Sequence, residues 1–440
     1  MIELLIIVFV LGYICIALEH PIKIDKAGTA IVTGILCWTI LVFSSDLDYK
    51  FLNKELQHHL IHISEILFFL LGAMTIVELV DAHQGFAIIT NRIKTVNRIK
   101  LLWIVSFIGF FFSAVLDNLT TAIVMAALLP KIIKGKDDIW FFGGMVILAC
   151  NAGGAWSPIG DVTTIMLWIG GQVSAFNIIT SIFIPSLVCM LVPLILLSVS
   201  AWGIRIPLIP KLDGNVIRPK HTIFQEHKSN PTTYFERNFL FSLGVGGLLF
   251  VPFFKTITHL PPYMGMLLSL GVLWVATEIL HREKNSEQKS NLSVIGVLRQ
   301  VDTPTIFFFL GILLAVSSLQ TAGILDSLAI YLNESMNNNY DYINVIIGAL
   351  SSIVDNVPLV AAAIGMYPIE ISGEFAQDGR FWEFLAYCAG TGGNLLIIGS
   401  AAGVAVMGIL KINFMWYVKR ISALALLGYI AGALTYILLN

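Results

Sequence analysis

The chain alternates apolar runs of about 20 residues with short polar stretches. A helix of that length spans the roughly 30 Å hydrocarbon core of a bilayer. Runs at 2–18, 27–43, 61–80, 139–169, 178–203, 237–254, 262–280, 304–331, 381–410 and 421–438 predict about ten transmembrane helices. Two further apolar stretches, 101–130 and 343–366, are interrupted by polar residues near their centres. One long polar connection, 204–236, contains Pro207, Pro210, Pro219 and Pro231 and reads as a linker between halves 1–203 and 237–440.

Composition agrees with this pattern. Of 440 residues, 57% are hydrophobic and 12% charged, whereas soluble chains carry about 25% charged residues. An all-α polytopic membrane protein is expected, in contact with lipid. A formal net charge of −2 gives no reason to expect a nucleic-acid partner. The five cysteines lie inside apolar runs without paired spacing and read as small core hydrophobes. Run 2–18 lacks a basic flank and a small-residue exit, so it reads as a retained span.

The interruptions carry the chemistry. The first reads Ser113-Ala-Val-Leu-Asp117-Asn118-Leu-Thr120-Thr121, the second Ser351-Ser-Ile-Val-Asp355-Asn356-Val-Pro358. A carboxylate at bilayer depth costs roughly 2.5–3.5 kcal/mol on insertion scales. The chain places one there twice, 238 positions apart. Basic residues flank the first stretch on both sides: Arg92, Lys94, Arg98 and Lys100 before it, Lys131, Lys134 and Lys136 after it. A segment that begins and ends on the cytoplasmic side has not crossed. The second stretch is flanked by Glu334 and Asp341, then by Glu370, Glu374 and Asp378, and reads as entering from outside. Two re-entrant hairpins with Asp-Asn tips near the midplane follow, with both chain termini outside. One motif entering from opposite faces is the pattern of an inverted-topology repeat. The offset persists elsewhere: Gly72 and Gly311, Gly153 and Gly392, and Gly160 and Gly399 are each 239 positions apart.

The glycine blocks fall within runs 139–169 and 381–410. Gly costs about 1 kcal/mol in a helix interior and Pro about 3. Gly153, Gly154 and Pro158, and likewise Gly390, Gly392 and Gly393, predict broken helices at the midplane; a close-packed glycine contact is the other reading. Polar residues accompany them: Asn151, Ser157, Asp161, Thr163 and Thr164 in one copy, Thr391, Asn394 and Ser400 in the other. Tips and breaks together present carboxylate, amide, hydroxyl and backbone oxygens, which suit hard cations. Burial favours the neutral form of a carboxylate and a bound cation favours the charged form. A single carboxylate that takes either a proton or Na⁺, in a site facing each side in turn, is sufficient for antiport.

These residues resemble the NhaD-type sodium/proton antiporters of the ion transporter superfamily. Besides both tips, Asn151-Ala-Gly-Gly-Ala-Trp-Ser-Pro-Ile-Gly-Asp161, Leu71-Gly-Ala-Met-Thr-Ile-Val-Glu78 and His259-Leu-Pro-Pro-Tyr-Met-Gly265 carry the likeness. The resemblance implies exchange of Na⁺ or Li⁺ for H⁺ across a bacterial inner membrane, with no organic cofactor and no enzymatic step. It also implies a homodimer whose scaffold domain supports an elevator-type transport domain. Related dicarboxylate carriers have Ser-Asn-Thr tips, and the Asp residues here favour a cation as the only substrate.

The expected cation and proton site comprises Asp117, Asn118, Thr120, Thr121, Asn151, Ser157, Asp161, Asp355, Asn356, Asn394 and Ser400. Within it, Na⁺ is expected at Asp117, Asn118, Asn151, Asp355, Asn356 and Asn394. The halves differ, because Pro358 stands opposite Thr120 and Ser400 opposite Asp161. Asp117 and Asp161 are therefore expected to dominate the competition between proton and sodium. Glu65 and Glu78 are candidates for coupling, with a solvated interfacial position as the plain reading of Glu78. His58, His59 and His62 invite a pH-sensor reading, with a wet loop at the outer surface as the plain one. Trp38, Tyr49, Trp103, Trp140, Trp202, Tyr263, Trp416 and Tyr417, near run ends, read as interface anchors. Two other functions compete: a sodium-coupled organic-anion symporter on the same fold, and an intramembrane aspartyl protease using Asp117 and Asp355.

Overall fold

The computed structural model describes residues 2–44, 48–86, 93, 95–201, 216, 232–285 and 292–440. Most of linker 204–236, the basic residues Arg92 and Lys94, and Trp202 lie outside the described residues. Every regular element among them is a helix, and nine helices are long and apolar enough to cross a membrane.

The first half contributes α1 (Ile2–Ala17), α2 (Lys26–Ser44), α3 (Tyr49–Ala82), α4 (Arg98–Leu116), α5 (Asn118–Ile132), α6 (Lys136–Ala155), α7 (Val162–Ile169) and α8 (Ala175–Ala201). The second contributes α9 (Tyr234–Thr258), α10 (Pro262–Leu280), α11 (Thr303–Thr321), α12 (Ile324–Ser335), α13 (Tyr340–Leu350), α14 (Asn356–Met366), α15 (Arg380–Gly392), α16 (Ala401–Leu410), α17 (Phe414–Arg420) and α18 (Ser422–Leu439). Their ends follow local chemistry. The Asn97 side chain accepts from Lys100 N to start α4, and Thr233 and Glu236 form a capping box at α9. Pro262 fits the first turn of α10, where an N–H would have no partner within the helix and proline has none to lose.

Two runs differ from their expected limits, and one bend is unexpected. Run 61–80 is the latter part of α3, a 34-residue helix, about 51 Å long at 1.5 Å per residue. His58, His59 and His62 therefore sit on a helix, where His59 Nε2 lies 3.1 Å from Thr321 Oγ1. Run 304–331 divides into α11 and α12 at Gly323, whose φ of +72° continues no right-handed helix. Between α16 and α17 the chain bends by 114°.

The halves interlock. α2 packs against α11, and α3 against α10. α5 lies on α16, and α14 on α7, so each polar tip approaches the break belonging to the other half. α8 and α18 pack together, while α6 is buried along nearly its whole length.

The breaks contain Pro158 and Gly393 but begin after Gly153, Gly154, Gly390 and Gly392. α6 stays helical through Gly153 and Gly154 and unwinds over 156–161; α15 passes Gly392 and unwinds over 393–400. Gly153 and Gly392, which stay helical, serve close approach. A Cβ on Gly153 would lie 2.1 Å from the Phe110 carbonyl oxygen, and one on Gly392 would lie 1.9 Å from the Gly348 carbonyl oxygen. Each helix is therefore pressed against the first arm of its own hairpin before it opens.

Several expected interface anchors are internal. Trp38 is buried, its indole N–H shared between Leu314 O at 3.0 Å and Ser317 Oγ at 3.2 Å. Trp140 donates to Leu410 O, and Tyr417 is fully buried with its hydroxyl on Asn394 O. Trp140 and Tyr417 meet carbonyls freed at a helix end and at a break, whereas Trp38 meets the interior of α11, which proximity to a run end does not reveal.

Candidate cation and proton site

The two breaks lie side by side and the two tips close over them. At the first break Asp161 caps α7: its Oδ1 accepts from Thr163 N and Thr163 Oγ1, both at 2.9 Å. At the second break Ser400 caps α16, accepting from Gly403 N at 3.1 Å. Both caps face half-helix N-termini, where the aligned peptide dipoles favour negative charge.

Asp161 is 1% exposed and forms the hub of a polar network. Asn118, from the first tip, donates its Nδ2 to Asp161 Oδ2 at 2.6 Å and to Asn151 Oδ1 at 3.1 Å. Asn356, from the second tip, donates to both Asp161 oxygens at 3.4 and 3.5 Å. Asn151 Nδ2 donates to Asn394 Oδ1 and to Ser400 Oγ, both at 2.9 Å. Thr121 is buried beside the Asn118 tip, and its hydroxyl has no hydrogen-bond partner. The Asn394 amide nitrogen is likewise buried and unpartnered. A buried hydroxyl without a partner normally costs stability, unless an ion or water completes it.

The tip carboxylates behave differently from the tip amides. Asp117 accepts from Thr120 N at 2.7 Å and from Thr120 Oγ1 at 2.9 Å, capping α5. Asp355 accepts from Val357 N at 3.2 Å, capping α14, and its other oxygen lies 3.8 Å from Lys26 Nζ. Both carboxylates lie within electrostatic reach of Asp161. Neither makes a hydrogen bond to it among the described residues. Ser157 Oγ donates to Ala114 O, tying the first break to the hairpin arm. The equivalent ties from arm to glycine helix are Ser113 Oγ to Cys150 O and Ser351 Oγ to Ala389 O.

The network thus joins Asn118, Asn151, Asp161, Asn356, Asn394 and Ser400, with Thr121 beside it. Asp117, Thr120, Asp355 and Ser157 hold the frame around it. No hydrogen bond joins Glu65 or Glu78 to the network among the described residues; Glu65 lies instead within reach of Lys255, and Glu78 of Asp81. Lys26 escaped the reading from sequence, because a lysine at the start of an apolar run reads as a flank.

Buried polar side chains at paired helix breaks, enclosed by apolar spans, define a multi-pass membrane transport protein. The chain belongs to the family described as "CitMHS: Citrate transporter", whose model matches residues 4–382. It is 45% identical to Sodium/proton antiporter 1 of Arabidopsis thaliana over 98% of this chain and 71% of that protein. It is 42% identical to Sodium/proton antiporter 2 of the same plant, over 98% of both chains. It is 30% identical to the Na⁺/H⁺ antiporter NhaD of Vibrio cholerae, over 99% of this chain and 91% of that protein. The resemblance seen in the tip motifs therefore holds across the chain, and the family and these relatives are transporters.

Proposed function

We propose that the protein exchanges Na⁺ or Li⁺ for H⁺ across its membrane by alternating access, with proton and cation competing for Asp161. One observation carries this reading: amides from both tips, Asn118 and Asn356, converge on the carboxylate of Asp161, itself buried at a helix break. Without a cation the amide N–H groups satisfy the carboxylate. Rotating each amide about its last bond would turn carbonyl oxygens to the same point, where with Asp161, Asn151 and the Thr121 hydroxyl they form a hard-cation donor set. A proton on Asp161 removes the charge that such a set needs. Asp117 and Asp355 act here as caps that hold the tips, rather than as direct ligands of the ion.

Three larger features belong to the same proposal. The constant offset of matching contacts and the crossed packing of the halves support an inverted repeat, with re-entrant hairpins 101–130 and 343–366. The hairpins and broken helices, packed on one another, would form a body moving against α2, α3, α10 and α11 as scaffold. A homodimer in a bacterial inner membrane remains part of the same proposal.

The organic-anion alternative gains nothing from the site. Its hub is a carboxylate, and no Arg, Lys or His side chain enters the network among the described residues to hold a substrate carboxylate.

Everted vesicles containing the protein, energised and loaded with acridine orange, test the proposal. Na⁺ or Li⁺ is expected to dequench the dye, K⁺ and citrate are not, and Asp161→Asn is expected to abolish the response. Dequenching by citrate, or full activity in Asp161→Asn, would overturn it.

A further inference from the structure

The two tips carry the same Asp-Asn pair, yet their carboxylates are held by different means. Asp117 receives two hydrogen bonds from Thr120. At the second tip the matching residue is Pro358, which has neither hydroxyl nor N–H. Asp355 therefore keeps one backbone donor, Val357 N, and turns Oδ2 toward Lys26 Nζ at 3.8 Å. Lys26 lies in the first turn of α2, with its ammonium also 4.4 Å above the Phe308 ring of α11. Both side chains are largely withdrawn from solvent, at 22% and 15% exposure. The neighbouring Asp25 is exposed and accepts from Ala27 N, so it does not draw Lys26 away. The Tyr13 hydroxyl, buried without a hydrogen-bond partner, lies within electrostatic reach of the same carboxylate.

We infer that Lys26 is a resident counter-cation for Asp355, a residue that sets how many ions the site takes. The tethered ammonium occupies the charge of Asp355, leaving Asp161 as the carboxylate open to exchange. An uncompensated carboxylate at this depth is costly and would recruit a free cation or a proton. Lys26 makes that recruitment unnecessary in the arrangement seen here, so the second tip contributes its Asn356 amide while the ion is exchanged at the first break. Because the pair joins α2 to the tip of the other half, it also positions that tip in the arrangement seen here.

This inference rests on the site being a sodium/proton exchange site, and the experiment separates the two. Equilibrium binding of radioactive ²²Na⁺ to purified full-length protein is measured at a pH well above the ordinary carboxylate range. Lys26→Gln is expected to bind one more Na⁺ per chain than the wild type. Asp355→Asn, which leaves an unpaired ammonium near the site, is expected to weaken Na⁺ binding about tenfold. The double variant is expected to recover most of the affinity that Asp355→Asn loses. Lys26→Arg, which retains the charge, is expected to bind as the wild type does and controls for folding. A wild type that binds no Na⁺ would end the exchange reading. A wild type that binds Na⁺, with Lys26→Gln binding the same number or the double variant no better than Asp355→Asn, would overturn the role of Lys26 alone.

Discussion

The two hairpin tips share the Asp-Asn pair and its contacts, but not the backbone or the charge around it. At the first tip, Asp117 adopts φ +91° and ψ 160°, a region that side chains with a Cβ rarely enter. Such a residue costs on the order of 1–3 kcal/mol and persists only where its surroundings over-determine it. Its two bonds from Thr120 and its place between α4 and α5 supply that constraint. At the second tip, Asp355 has φ −50° and ψ 137°, an ordinary cap conformation, and an external cation. The breaks differ in the same sense, with a carboxylate at Asp161 and a neutral hydroxyl at Ser400. The two regions thus present a similar geometry, while the strained backbone and the hub carboxylate occur in the first region. Both copies contribute an amide to that one carboxylate.

The largest effect is expected from giving the first break the residue of the second. In Asp161→Ser, Na⁺-dependent dequenching should fall at least about 10–100-fold, since bonds to a charged group are worth roughly 1.5–3 kcal/mol. Retained exchange in that variant would show that the breaks are interchangeable. The amides come next. Asn118→Ala should raise the half-saturating Na⁺ concentration more than Asn356→Ala, because Asn118 reaches Asp161 at 2.6 Å and Asn356 at 3.4 Å. Equal shifts would make the two tips equivalent as ligands.

Glycine at the tips reads the backbone difference directly. Asp117→Gly relieves the positive φ, whereas Asp355→Gly relieves nothing. Thermal unfolding in detergent should therefore find Asp355→Gly less stable than Asp117→Gly, by roughly 1–3 kcal/mol. The smallest effect lies away from the tips, where His83 and His281 end α3 and α10 and meet Nε2 to Nε2 at 2.7 Å. Burial lowers the pKa of His83 from its ordinary 6.5; the Leu79 carbonyl opposes this, Lys284 adds to it, and Glu236 opposes it. The folded state thus binds this proton less readily than the unfolded state. Its contribution to stability is present above the ordinary value and is lost as pH falls below it. Between about pH 7 and about pH 5, the melting temperature should drop, and the drop should be shallower in His83→Gln.

How much of this was legible in the chain follows from what each feature depends on. Hydrophobic run length is local, so the helices and the apolar spans could be read off in order. The polar residues at membrane depth were legible because insertion makes them expensive, and Asp161 stood out as a carboxylate with no partner at position 400. Orientation within the tips was not legible. Which residue of each Asp-Asn pair meets Asp161 is decided by how the hairpin arms seat on another helix, through contacts such as Ser113 on Cys150 and Phe110 on Gly153. The glycines announced a disturbance but not its kind, since close approach and unwinding make the same demand on composition. Lys26 illustrates the remaining gap. Nothing within the first turn of α2 hints at Asp355, more than 300 residues away, and only the crossed packing of the two halves places their opposite charges together.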